Sequence, residues 1–327
     1  MLTFLLFLFS LSWCATPNAA ALEADPFLWL EEIESARSLQ FVKQQNEATF
    51  ARLKNQRYQQ LEQEVRKIAL AKDRMPSVFF LGEHLYNLWQ DANHSRGLLR
   101  RTSVPEFAKE DPHWETVLDL DQLAKQEKEN WVWKGIQCLE PENHLCMLHL
   151  SRAGKDAKVS REFDLREKQF VLHGFVLPEA KSNLSWIDSD RLLVETDFGP
   201  VSMSHSGYPI ISKIWSRHTD LSEAVELFHG EASNISVRSR VSIRAEGTHI
   251  FVERNPSIFE AEVYYRAVTG RLFKVPFPKD ASFETVFLNR VIYRLRSPLV
   301  VNGQTYAMGA LVALPIPAIL MGDMGLE

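Results

Sequence analysis

Cysteine is nearly absent from the sequence, and no apolar run is long enough to cross a bilayer as a helix. Three cysteines (Cys14, Cys138 and Cys146) are too few to staple a chain of 327 residues into a disulfide scaffold. The apolar stretch from Leu2 to Trp13 stops short of the ~20 residues that a spanning helix needs, and no later segment resembles a span. Basic blocks are missing too. The 37 Lys and Arg stand against 42 Asp and Glu, a net charge of -5, which argues against a nucleic-acid surface. Glycine never falls at phosphate-loop spacing, since "GKDAK" at residues 154–158 lacks the Walker pattern. What is present is globular: 45% hydrophobic residues with 8 Trp and 20 Phe, enough for one large domain or two ordinary ones.

The first residues, "MLTFLLFLFSLSWCATPNAAALEADPF", read as a secretory signal over residues 1–21. A short apolar run is followed by small residues, and Ala19-Ala20-Ala21 offers an Ala-x-Ala cleavage site. The expectation is export, to the periplasm or the medium. Cys138 and Cys146 then remain, either bridged in an oxidising compartment or as two buried thiols.

Residues 22–75 read as a helical segment. Asp25-Pro26 is placed to cap a helix running into "FLWLEEIESARSLQF", with Glu31, Glu32 and Glu34 at its positive end. Leu61, Val65 and Ile68 follow on one face of a second helix. After Pro76 the apolar runs become short, aromatic and β-branched, which predicts strands. One kind of strand recurs: "HLYNLW" from His84, "HLCMLHL" from His144, "RLLVET" from Arg191, "HIFVER" from His249 and "RVIYRL" from Arg290. The spacings of 60, 47, 58 and 41 residues scatter around the ~40–50 residues of one four-stranded propeller blade. The fold class expected is an all-β propeller over residues 76–327, preceded by short N-terminal helices. About five blades fit. The apolar tail "GALVALPIPAILMGDMGLE" offers no recognisable closing strand.

Several segments, in order, resemble the N-terminal part of the prolyl oligopeptidase family of serine peptidases. They are "DPFLWLEE", "SRAGKDAKVSREFDL", "GFVLPEAKSNLSWIDSDRLLVETDFGP", "SGYP" and "KIWSRHT". The resemblance implies a propeller of seven blades capping an α/β-hydrolase domain, whose Ser-Asp-His triad cleaves short peptides after proline. On that footing the chain is an incomplete propeller, about five of the seven blades, and the hydrolase domain is absent. Four positions depart from the family's pattern. Val201 stands where "GPGS" has Gly, His218 and Asp220 where "KRGTPL" has Gly and Pro, and Ile210 where Arg usually follows "SGYP". A turn needing positive φ at either Gly position would be strained.

The stretch "TDFGPVSMSHSGYPIISKIWSRHTD" gathers Asp197, His205, Ser206 and His218, the residue types of a hydrolytic triad. A nucleophile elbow, however, needs G-x-S-x-G, and no serine in the sequence has it. A structural turn between strands is the better account, so no catalytic residue is assigned. His144, Cys146 and His149 sit close together, but strand alternation sends His149 away from the other two, and no metal site is assigned. No cofactor is implied. Trp114, Trp131, Trp133, Trp186 and Trp215 are expected to pack between blades. Asn93, Asn183 and Asn234 head formal glycosylation sequons. The functional expectation is a substrate-gating propeller that serves short peptides through a missing hydrolase domain. The alternative is an exported, non-enzymatic propeller that binds peptides or a protein partner, with an interrupted gene as a third possibility.

Overall fold

The computed structural model describes residues 25–71, 73–324 and 326. The signal-sequence expectation, with Cys14, lies outside them. Two compact units divide at Ala69/Leu70.

The first unit is helical, but its helix does not open at Asp25-Pro26. The Asp25 carboxylate accepts from the Phe27 amide at 2.8 Å and closes a tight turn, followed by a single 3-10 turn over Leu28–Glu31. Helix α1 (Ala36–Leu53) begins later, where the Ser35 hydroxyl accepts from the Ser38 amide at 3.1 Å. Glu31, Glu32 and Glu34 therefore precede the helix instead of occupying its first turn. The local competition was between two good caps, and serine won because aspartate was already satisfied two residues on. Helix α2 (Gln56–Ala69) follows, capped by Asn55, whose Oδ1 accepts from the Tyr58 amide at 3.0 Å. Its apolar stripe of Leu61, Val65 and Ile68 is exposed.

The second unit is a series of five antiparallel sheets, the blades of a propeller. Blade 1 is β1 (Phe79–Leu81), β2 (His84–Trp89), β3 (Leu98–Ser103) and β4 (Glu115–Asp119), with short helices α3 (Val104–Phe107) and α4 (Leu120–Glu127). Blade 2 is β5 (Trp131–Cys138), β6 (Leu145–Arg152), β7 (Lys158–Asp164) and β8 (Gln169–Phe170), with β9 (Val176–Ala180) also pairing with β7. Blade 3 is β10 (Asn183–Asp188), β11 (Arg191–Glu195), β12 (Ile211–Ser216) and β13 (Val225–His229). Blade 4 is β14 (Ser236–Arg244), β15 (Gly247–Asn255), β16 (Glu262–Arg266) and β17 (Leu272–Lys274).

The tail is more structured than its sequence suggested. Blade 5 pairs β18 (Ser282–Phe287) with β19 (Arg290–Arg294) and then, past the small hairpin β20 (Leu299–Val301) and β21 (Gln304–Tyr306), with β22 (Leu311–Pro315). Part of "GALVALPIPAIL" is thus the third strand of this blade. Helix α5 (Ile316–Met321) completes the segment, with Pro317 in its first turn, where a missing N–H costs nothing.

The five recurring segments fall at the second strands, β2, β6, β11, β15 and β19. Each of these strands is paired on both edges, and β6 and β11 are buried on both faces, so they read as apolar runs rather than alternating ones. The core lies between blades. Tyr86, Leu99 and Val117 of blade 1 meet Cys146, Leu148 and Phe163 of blade 2. Met147 and Leu177 of blade 2 meet Leu184, Trp186 and Trp215 of blade 3. Ile210 and Ile211 meet Val237 and Val252, and Phe251 and Val263 meet Val291, Tyr293 and Leu314. Each large side chain buried there contributes about 1.5–3 kcal/mol. Ile210, 2% exposed, occupies a place in that core where a charged Arg would have to be solvated or paired.

Cys138 and Cys146 are directly opposed in the β5–β6 ladder and form a disulfide. Their spacing alone left bridge or free thiols open. Hairpin register decides it, because it places the two Cα atoms 3.9 Å apart.

Candidate functional site

The stretch from Asp197 to Asp220 builds a turn. Ser202 Oγ accepts from the Phe198 amide at 2.9 Å and lies 3.1 Å from Asp197 Oδ1. Ser204 is buried, its hydroxyl donating to the Ile235 carbonyl at 3.0 Å, and its amide donates to the Tyr208 carbonyl at 2.8 Å. His205 and Ser206 are exposed at the tip, and no hydrogen bond joins Ser206 to His205, Asp197 or His218. Val201 (φ 63°) and His218 (φ 62°) hold the left-handed conformation that glycine adopts without strain.

The histidine-cysteine cluster is equally structural. Cys146 is in the disulfide, His144 precedes the strand, and His149 is buried with Nδ1 2.8 Å from Ser160 Oγ. Burial, with Lys158 nearby, pushes the His149 imidazole down to about 3. Among the tryptophans, Trp131, Trp186 and Trp215 are buried in inter-blade clusters and Trp133 packs beside Trp131. Trp114 lies edge-on to Phe107 and carries Arg100 over its ring at 4.2 Å. Of the sequon asparagines, Asn234 is buried with Oδ1 accepting from the Glu231 amide, and Asn183 Nδ2 donates to Glu195 and to the Ser239 carbonyl. Asn93 is exposed.

Two features that sequence reasoning missed join the blades. Glu162 of β7 is buried and accepts from both guanidinium nitrogens of Arg217, at 2.9 Å each, across the blade 2–3 junction. It also accepts from the Phe175 amide at 2.7 Å, and Arg217 lies over the Phe175 ring. A Cβ on Gly174 would stand 2.7 Å from the Glu162 carboxylate, so only glycine fits there. At the blade 3–4 junction Glu195 is fully buried without a cation. Ser212 Oγ lies 2.6 Å from Glu195 Oε1 and 2.7 Å from Ser239 Oγ, and Asn183 Nδ2 donates to Oε2 at 2.9 Å. Burial pushes the Glu195 carboxyl up, against these hydrogen bonds.

The cavity with the most distinctive chemistry opens where blades 2, 3 and 4 meet. It holds about 300 Å³ and is lined by Lys134, Lys158, Lys181 and Arg238, with Asp156 and Tyr208 at one wall. It sits where β7, β10 and β14 begin, with Lys158, Asn183 and Ser236 in its lining, and Tyr208 and Pro209 reach it from the loop just before β12. Asp156 is already engaged. The Tyr208 hydroxyl donates to it at 2.9 Å, Lys181 lies 3.5 Å away, and these contacts hold its carboxyl below the usual range. Lys181 also sits over the Tyr208 ring. A second cavity, of about 270 Å³, continues along the first strands and shares Asn183 and Arg238 with the first.

A family model, "Prolyl oligopeptidase, N-terminal beta-propeller domain", matches residues 16–276. The chain belongs to the prolyl oligopeptidase family. Among curated relatives, an uncharacterized peptidase of Sinorhizobium fredii is 33% identical over 322 residues, covering 96% of this chain and 44% of that protein. An uncharacterized peptidase of Rickettsia prowazekii is 26% identical, covering 90% and 43%. Among solved structures, a post-proline cleaving enzyme from Rickettsia typhi superposes with a TM-score of 0.84 at 27% identity, covering 91% of this chain and 46% of that one. Oligopeptidase B from Leishmania major, at 13% identity and a TM-score of 0.65, shares the fold. The chain thus spans less than half the length of the relatives it matches.

Proposed function

We propose that the chain is the substrate-gating propeller region of a prolyl-oligopeptidase-like serine peptidase, exported from the cell, and that by itself it does not hydrolyse peptides. The supporting observation is the family match over residues 16–276 together with five propeller sheets, on a chain that spans less than half of each relative. The role is steric, admitting short peptides to a hydrolase pocket and excluding folded proteins. Acyl transfer needs an activated hydroxyl, its base and an oxyanion hole, and the one stretch with the right residue types is a hydrogen-bonded turn with Ser206 unjoined to any base. The Cys138–Cys146 bridge supports the exported location, since such bonds persist in oxidising compartments.

Two measurements test this reading. A proline-containing fluorogenic peptide should show no turnover with the purified chain, and turnover abolished by a serine-directed inhibitor would overturn the non-catalytic part. Coding DNA downstream of Glu327, read in three frames, should encode a G-x-S-x-G segment followed by Asp and His. Unrelated sequence there would count against gating.

A further inference from the structure

We propose that the cavity between blades 2, 3 and 4 is an anion site that takes the C-terminal carboxylate of a short peptide. Four cationic side chains face a single carboxylate in it, on a chain whose net charge is -5. Such a local reversal of sign draws anions towards the cavity. The one acid present, Asp156, is occupied by Tyr208 and Lys181. Lys134 donates to the Gly154 carbonyl at 3.2 Å. No ion pair engages Lys158 or Arg238 among the described residues, although Glu253 stands directly opposite Arg238 in the β14–β15 ladder. Burial and the nearby Lys134 push the Lys158 ammonium down, with Asp156 opposing, so an added anion there would relieve an existing cost. The Ser182 hydroxyl, also in the lining, is buried with no hydrogen-bond partner.

A carboxylate suits this lining. Arg238 presents a planar fork of the kind that grips a carboxylate through two parallel hydrogen bonds, Lys158 adds a point charge, and Ser182 a hydroxyl donor. The second cavity extends the site by about 270 Å³; Gln137, whose Nε2 lies 3.5 Å from Ser185 Oγ, can turn to peptide groups, Phe251 and Phe283 offer apolar contact, and Arg240 and Glu253 add one charge of each sign. A peptide with its terminal carboxylate at Arg238 would therefore continue along the first strands. The choice of a peptide as carrier rests on the family reading; the anion chemistry rests on the cavity itself.

Isothermal titration of the purified chain with a proline-containing tripeptide, as its free acid and as its C-terminal amide, tests the proposal. The free acid should bind at least about tenfold more tightly than the amide, the size of a lost charge-assisted pair. Arg238→Ala should weaken the free acid by about tenfold and leave the amide unchanged. Arg238 is exposed, so its variant should melt where the parent does. Lys158→Met supplies a second variant with the same expected direction. Equal affinity for acid and amide, no binding of the acid, or indifference to both substitutions would overturn the site. Inorganic phosphate forms a separate arm. Competition with the free acid supports a shared anion site, whereas Arg238-dependent phosphate binding without peptide binding rejects the peptide carboxylate. No turnover is read, so failure here leaves the gating proposal standing, and the downstream DNA decides that proposal alone.

Discussion

Blades 2 and 3 meet over a charged carboxylate, and blades 3 and 4 meet over one whose environment favours the neutral form. Glu162 is held by the bidentate Arg217 guanidinium and the Phe175 amide. Glu195 has two serine hydroxyls and an asparagine amide, with no cation. Both lie between packed sheets where an unpaired charge is expensive. The first junction supplies the opposite charge and the second raises the carboxyl's proton affinity. Two acidic residues of the same type therefore respond in opposite ways to mutation.

The largest expected effect is at the first junction. Arg217→Ala strands the Glu162 charge and should cost about 3–5 kcal/mol in urea denaturation at neutral pH. Adding Glu162→Leu to that variant should recover most of the loss, because an apolar pair has no charge left to desolvate. A loss below about 1 kcal/mol for Arg217→Ala would mean that water reaches Glu162.

Acid acts on the fold through His149, which is buried in blade 2. Its folded-state value, about 3, lies below the ordinary 6.5, so the unfolded chain binds a proton that the native chain refuses. Stability is full above pH 6.5 and falls as the pH drops towards 3, by on the order of 3 kcal/mol at pH 4. His149→Gln should remove that window, seen as a flatter plot of urea midpoint against pH.

Glu195 has the opposite sign. Its native proton is held more tightly than the unfolded one, so its contribution declines as pH rises above the ordinary carboxyl value. Glu195→Gln copies the protonated acid, donating towards Ser212 and accepting from Asn183. It should raise stability at pH 7 by about 1 kcal/mol and abolish the decline. A substitution as costly as Arg217→Ala would show instead that Glu195 is ionised, and the contrast between the junctions would collapse.

A comparably small effect falls on the loop preceding β12. Val201→Gly should stabilise by about 1 kcal/mol, because a β-branched residue at φ 63° carries steric strain that glycine lacks. Calorimetry of the two proteins would register it as a small upward shift in Tm.

That strain was legible from the sequence, since Val201 and His218 stand where the family pattern has Gly. The blades were legible too, because a strand packed on both faces leaves the same apolar signature each time it occurs. The start of α1 was misread at Asp25, where two competent caps lay ten residues apart and only hydrogen-bond geometry separates them. Strand β22 was hidden by a hairpin inserted between it and β19. The inter-blade clasps could not be read at all. Glu162 and Arg217 each lie in segments that carry the family resemblance, yet 55 positions separate them, and no local pattern marks such a pair. The anion cavity is hidden for the same reason, being assembled from separate segments of blades 2, 3 and 4.

The way the core is distributed has a consequence for how this domain comes apart. Each apolar cluster and each clasp is shared by two adjacent blades, as from blade 2 to 3 through Glu162 and from 3 to 4 through Glu195. The blades thus behave as a linear array with nearest-neighbour coupling, in which the strength of each junction sets how far unfolding spreads. Weakening one junction should split a single cooperative melting transition into two, with the break falling at the altered junction and each surviving block keeping its own hydrogen-exchange protection.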